Sequence, residues 1–171
     1  MRAVKLFLFV SAALFVVITL FSLLIPSTVR VSRLVVINTT QPQLIRSQTD
    51  SVTNWKNWQP YLKNGRVKIV SLSATACEIQ YGEGSTVMQI KSVDSNAVHF
   101  TIKASGENIF DNAITIRPLP IANAYQAEWV ATTTMKWYPW QKFYAIFIDK
   151  ITGPGYEAAL NGLKEYVEAH D

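Results

Sequence analysis

At 171 residues, 49% of them hydrophobic, and with a formal charge of +4, the chain is long enough for one domain with a sizeable core and strained for two. Its 16 Lys and Arg and 12 Asp and Glu form no dense basic run and no nucleic-acid-binding motif, which sets nucleic acid aside as a partner. Cys77 is the only cysteine, so no intramolecular disulfide can brace the fold, and it has no lipid-attachment context.

The first element is the uncharged run Leu6–Ile25, which as a helix rising 1.5 Å per residue spans about 30 Å of hydrocarbon. Its hydroxyl residues Ser11, Thr19 and Ser22 can bond their own helix backbone. The apolar core of a cleaved signal peptide is usually about 7 to 15 residues long and ends at a small-x-small site. Here the run passes into Ile25-Pro26-Ser27-Thr28-Val29 without such a site, so an uncleaved single-pass anchor over residues 1–27 is expected, with residues 28–171 as the domain it carries. Arg2 and Lys5 on the amino flank, against Arg30 and Arg33 beyond the run, favour an inside amino end and a domain on the outer side, periplasmic in a bacterium.

Charge is unevenly spread behind the anchor. Residues 26–68 carry seven basic groups, Arg66 among them, against Asp50 alone; residues 69–171 carry seven basic and eleven acidic groups. The basic part either rests on anionic headgroups or forms an ordinary solvated face. Asn38-Thr39-Thr40 fits a glycosylation sequon, which matters only in a eukaryotic secretory host.

Val29–Ile37, rich in β-branched residues, predicts a first strand. Asn38, Thr39 and Thr40 can cap a helix over 42–52, with Pro42 acceptable in its first turn. The cluster Trp55-Lys56-Asn57-Trp58-Gln59-Pro60-Tyr61 is expected to close one end of the core. Short β-prone runs follow near 67–74, 76–81, 85–93, 97–105, 108–118 and 125–135, joined by turn signals such as Gly82-Glu83-Gly84, Asp94-Ser95-Asn96 and Gly106-Glu107-Asn108. Alternation places Val98, Phe100 and Ile102 on one face and His99, Thr101 and Lys103 on the other.

After Pro139 the period becomes helical. Trp140, Phe143, Phe147 and Ile151 form one stripe, and Tyr156, Leu160, Leu163 and Val167 form another. Gly153-Pro154-Gly155 between them should kink or briefly break the helix. The sum is an α+β fold in which about seven antiparallel strands wrap a long terminal helix, with a cavity between them as one possible consequence.

These residues resemble a known family: the START-like, Bet v 1-like superfamily, and within it the membrane-anchored polyketide cyclase/dehydrase group. The likeness rests on the anchor followed by Val29–Asn38, on Asn54–Tyr61, on the stretch Phe143–Glu157, and on Leu160-Asn161-Gly162-Leu163-Lys164. It implies a helix-grip fold with a hydrophobic tunnel under the terminal helix, binding lipids, sterols, hormones or polyketides; no catalytic signature carries over. The family's glycine-rich turn between the last two strands is missing from Ile116–Tyr125.

A ligand in such a tunnel is expected to meet Trp55, Trp58, Met88, Phe100, Trp129, Trp137, Trp140, Phe143, Tyr144 and Phe147, in the cavity or at its rim. Trp137-Tyr138-Pro139-Trp140 bridges last strand and helix, where large rings can line an entrance, stack on a flat ligand, dip into the membrane interface or plug the core. Two histidines, His99 on a strand and His170 at the end, suggest no metal site, and no cofactor is expected. His99 is expected at an outward or rim position. Glu78 and Glu128 are expected on the outward strand face, and Asp149 to fix the terminal helix by hydrogen bonding or ion pairing. The leading expectation is a membrane-tethered binding module for a hydrophobic small molecule or lipid; the alternative is a polyketide cyclase or dehydratase, which needs a carboxylate or histidine facing the cavity.

Overall fold

The computed structural model describes residues 2–63, 65, 67–106 and 108–171; Arg66 of the basic half and Glu107 of the expected turn lie outside them. The apolar run folds as α1 (Arg2–Leu23), 22 residues that are almost wholly exposed, long and apolar enough to cross a membrane. Thr19 donates to the carbonyl of Phe15 and Ser22 to that of Thr19, so these two hydroxyls are satisfied within the helix, as expected of an apolar span.

Beyond Pro26 the chain enters β1 (Thr28–Asn38), then three short helices, α2 (Pro42–Thr49), α3 (Val52–Trp55) and α4 (Pro60–Lys63). Six strands follow: β2 (Lys68–Leu72), β3 (Ala76–Tyr81), β4 (Gly84–Val93), β5 (Ala97–Ala104), β6 (Ile109–Pro118) and β7 (Ala124–Thr134). The chain ends in α5 (Pro139–Ala169). All strands join one antiparallel sheet in the order β1-β7-β6-β5-β4-β3-β2, with β1 paired to β7 from Thr28↔Thr134 to Asn38↔Ala124. The helix-grip α+β reading therefore holds.

Three local expectations are corrected. The helix expected over 42–52 stops at Thr49, because Ser51 is extended (φ −134°, ψ 126°) and α3 starts afresh at Val52. Its capping is also different: no side chain caps Gln41, and the Asp171 carboxylate instead accepts from the amides of Thr40 and Gln41, joined by Thr39 Oγ1 accepting from Gln41. Of the kink or break expected at Gly153-Pro154-Gly155, the break does not occur; helical structure continues to Ala169, with Pro154 exposed and Gly153 buried. In the β6–β7 turn, Asn123 takes the positive φ (58°) in place of the missing glycine, which a short polar side chain tolerates.

α5 runs beside β1 and covers its free edge with charge. Lys164 Nζ donates to the Val36 carbonyl and Glu168 accepts from the Asn38 amide, satisfying edge groups that would otherwise invite another strand. Arg33 of β1 forms a two-point pair with Asp149 of α5, Nη1 to Oδ1 at 2.9 Å and Nη2 to Oδ2 at 3.1 Å. Asp149 thus fixes the helix by ion pairing, in the way its surroundings suggested.

Candidate functional site

The space between sheet and helix is filled by rings. Trp58 lies against Trp55 (centroids 5.9 Å apart), Trp55 against Phe100 (4.8 Å, edge-on), Phe100 against Trp129 (5.4 Å, edge-on) and Trp129 against Tyr156 of α5 (4.9 Å, stacked). Met88, Ile114, Leu160, Leu163 and Val167 pack around this chain of rings. Each buried indole N–H has a partner at 3.0 Å: Trp55 donates to the Thr49 carbonyl, Trp58 to the Gln48 carbonyl and Trp129 to Asn112 Oδ1. Rings that are packed and satisfied in this way form a closed core. Of the residues expected to meet a ligand, Trp55, Trp58, Met88, Phe100 and Trp129 belong to this core, all at 3% exposure or less.

The other five lie outside. Trp137, Trp140, Phe143, Tyr144 and Phe147 are 39% to 64% exposed. For the four that lie on α5, which Trp137 precedes, the reason is a division within that helix. Its carboxyl half buries Ala159, Leu160, Leu163 and Val167 in the main core, whereas its amino half buries Ala145 and Ile148 in a small separate cluster with Val31 and Met135. The turned-away side of that half carries Trp140, Phe143, Tyr144, Phe147 and Ile151, three and four residues apart and therefore on one stripe.

A cleft of about 410 Å³ opens at the start of this stripe, between the β5–β6 turn, the end of β7 and the first turns of α5. Phe110, Met135, Trp140 and Tyr144 supply its apolar wall, with Asn108 and Gln141 as the polar groups. Asn108 Nδ2 donates to Gln141 Oε1 at 3.0 Å and lies 3.3 Å from Met135 Sδ, so the two amides stand together on the cleft wall. A second cleft of about 270 Å³ lies where the chain leaves α1, bounded by Ile25, Pro26, Val29 and Arg30 on one side and Ala145 and Ile146 on the other.

One residue that sequence reasoning missed ties these features together. Lys142 is 4% exposed, and its ammonium donates to the Ile25 carbonyl at 2.8 Å and to Ser27 Oγ at 2.6 Å. A lysine in an apolar helical stretch reads as solvated, and only the folded linker supplies the acceptors that let it be buried.

The ionisable candidates stand elsewhere. His99 pairs with Asp94 on the exposed side of the sheet at 3.1 Å, and Glu128 accepts from Ser32 at 2.8 Å. Glu78 lies between the buried Cys77 and Ile79 on β3 and so points to the opposite face of the sheet. Burial pushes the Tyr156 phenol up to about 12, a hydrogen bond with Thr152 opposing. Burial likewise raises the Cys77 thiol.

No family model and no curated protein matches the sequence. Solved structures do match. A truncated norcoclaurine synthase from Thalictrum flavum aligns with a TM-score of 0.61 at 12% identity, over 84% of this chain and 96% of that one. The protein XoxI from Bacillus cereus aligns at 0.60 and 13% identity, over 81% and 95%. A START superfamily protein from Mycobacterium smegmatis aligns at 0.59 and 12% identity, over 84% and 99%. The fold is START-like and Bet v 1-like, the class that the two ends of the sequence resemble.

Proposed function

We propose that the chain is a membrane-tethered module that takes an apolar small molecule or lipid at the amino half of α5. In this reading α1 is the tether and the domain sits on the outer side, kept there by the basic amino flank Arg2 and Lys5. The supporting observation is the contrast along one helix. Where α5 meets the main core every ring is packed, yet its first turns present large apolar side chains beside a cleft with two amide groups. A site of a few hundred Å³ with an apolar wall and few polar groups suits such a ligand. The ring-filled interior serves as a rigid floor, so the ligand belongs at the rim and not beneath the helix.

The described residues lining this cleft are glycine, apolar and amide residues with the Tyr144 phenol, a wall that suits binding. The test is native mass spectrometry of the full chain, extracted in detergent and offered a long-chain fatty acid and a phospholipid. A bound species with wild type that falls about tenfold with Trp140→Ala/Tyr144→Ala supports the proposal, by the loss of about 1.4 kcal/mol that this ratio represents. Equal occupancy in both, or no adduct with either lipid, would remove it.

A further inference from the structure

The apolar stripe on α5 needs a cover, and the structure points to what that cover is. We propose that the amino half of α5 lies on the surface of the same bilayer that α1 enters, with Trp140, Phe143, Tyr144, Phe147 and Ile151 seated at the headgroup boundary. This rests on the tether part of the reading above and goes beyond it, because it assigns a second membrane contact to the folded domain itself.

Continuity with α1 carries the argument. α1 packs against α5, Ser22 near its end is fully buried, and Lys142 holds the two residues Ile25 and Ser27 that follow the span. Residues 139–151 extend about 20 Å as a helix, so every ring of the stripe stays within that distance of the point where α1 leaves the hydrocarbon. A loose linker would permit any separation; this one begins β1 at Thr28 and permits little.

Chemistry agrees with position. Tryptophan and tyrosine favour the membrane–water boundary, where the ring is buried and its N–H or O–H stays wet. Trp137, Tyr138 and Trp140 cluster at the start of the helix, Tyr138 tilted against Trp137 and stacked on Trp140, with 5.1 Å between ring centres in each pair. Lys136 lies 6.0 Å from the centre of the Tyr138 ring, Arg30 borders the second cleft beside Ala145 and Ile146 with Glu128 3.9 Å away, and Asp149 is paired with Arg33, so Lys136 is the basic group beside the rings that anionic headgroups meet. An amphipathic helix with rings on one side and basic groups at its margins is what lies in an interface plane.

α1 contains no tryptophan, which makes the domain readable by itself. The full chain is reconstituted into phosphatidylcholine/phosphatidylglycerol vesicles whose acyl chains carry bromine near the headgroup end, and tryptophan quenching is measured after flotation. Wild type is expected to show at least about twofold greater fractional quenching than Trp137→Phe/Trp140→Phe, because the remaining indoles are in the closed core. Phe147→Glu/Ile151→Glu, which keeps both tryptophans and touches neither cleft, should lose most of that quenching with an unchanged circular dichroism spectrum. Vesicle-bound wild type quenched no more than the tryptophan variant would overturn the docking while leaving the tether intact. Crosslinking of the stripe to a second copy of the chain, in place of lipid, would overturn it equally. Failure to float at all would remove tether and docking together.

Discussion

Gly162 sits where α5 crosses the Trp58 loop, and a Cβ built there would collide with the Trp58 carbonyl oxygen. Backbone cannot move aside as a flexible side chain does, so Gly162→Ala should cost about 1–3 kcal/mol in chemical denaturation. The glycine stood out in the sequence by resemblance alone, since no local pattern reveals how near a distant carbonyl will come. Trp129 was visible as an aromatic on an alternating strand, but its partners were not. Trp129→Ala should cost about 3–5 kcal/mol, because it empties the middle of the ring chain and orphans Asn112. Tyr156 adds a titration. Its phenol is held neutral up to about 12, above the ordinary value of about 10, so its contribution to stability is full below pH 10 and is lost as pH rises through 12. Tyr156→Phe should therefore flatten the alkaline side of the stability profile, as measured by thermal melts between pH 9 and 12.

At the scale of elements, the two stripes of α5 were legible as periodicity, and so was their division near Gly153-Pro154-Gly155. Periodicity says that a face is apolar; it does not say whether a sheet reaches it. The sheet reaches Tyr156, Leu160, Leu163 and Val167 and leaves Trp140, Phe143 and Phe147 uncovered, a difference set by tertiary placement. Gly153 has a similar origin. A Cβ there would strike the Arg33 guanidinium, so the glycine keeps the lane through which Arg33 reaches Asp149. Gly153→Ala should cost clearly less in an Arg33→Ala background than in wild type, and a double-mutant cycle reads that coupling. The Arg33 hydrogen bond holds the Asp149 carboxyl below its usual range, and bonds from Thr39, Thr40 and Gln41 do the same for Asp171. Their stabilisation is present above the ordinary carboxylate pKa of about 3.9 and disappears as pH falls through the lowered native values. Acid melts of Asp149→Asn and Asp171→Asn should start lower and then fall less steeply than wild type below pH 4.

For the molecule as a whole, strand count, antiparallel order and the gripping helix could be read from spacing and turn residues, because each strand declares itself locally. Whether the grip is hollow could not. Hollow and filled versions use the same alternation, and the outcome depends on volumes summed from α3, β5, β7 and α5 together. Trp55, Trp58, Phe100 and Trp129 fill it, which is why the proposed ligand site lies outward, at the helix end beside α1.

Crosslinking with a diazirine-bearing fatty acid, on the full chain in a bilayer and followed by peptide mapping, tests that relocation most directly. Beyond α1, which bilayer lipid reaches in any case, labels should fall near the cleft and the helix start, at residues 108–110 and 135–151, and be absent from the peptides holding Met88, Phe100 and Leu160. Labelling of those core peptides at levels equal to the helix start would show that the interior opens to the ligand, and would contradict the account.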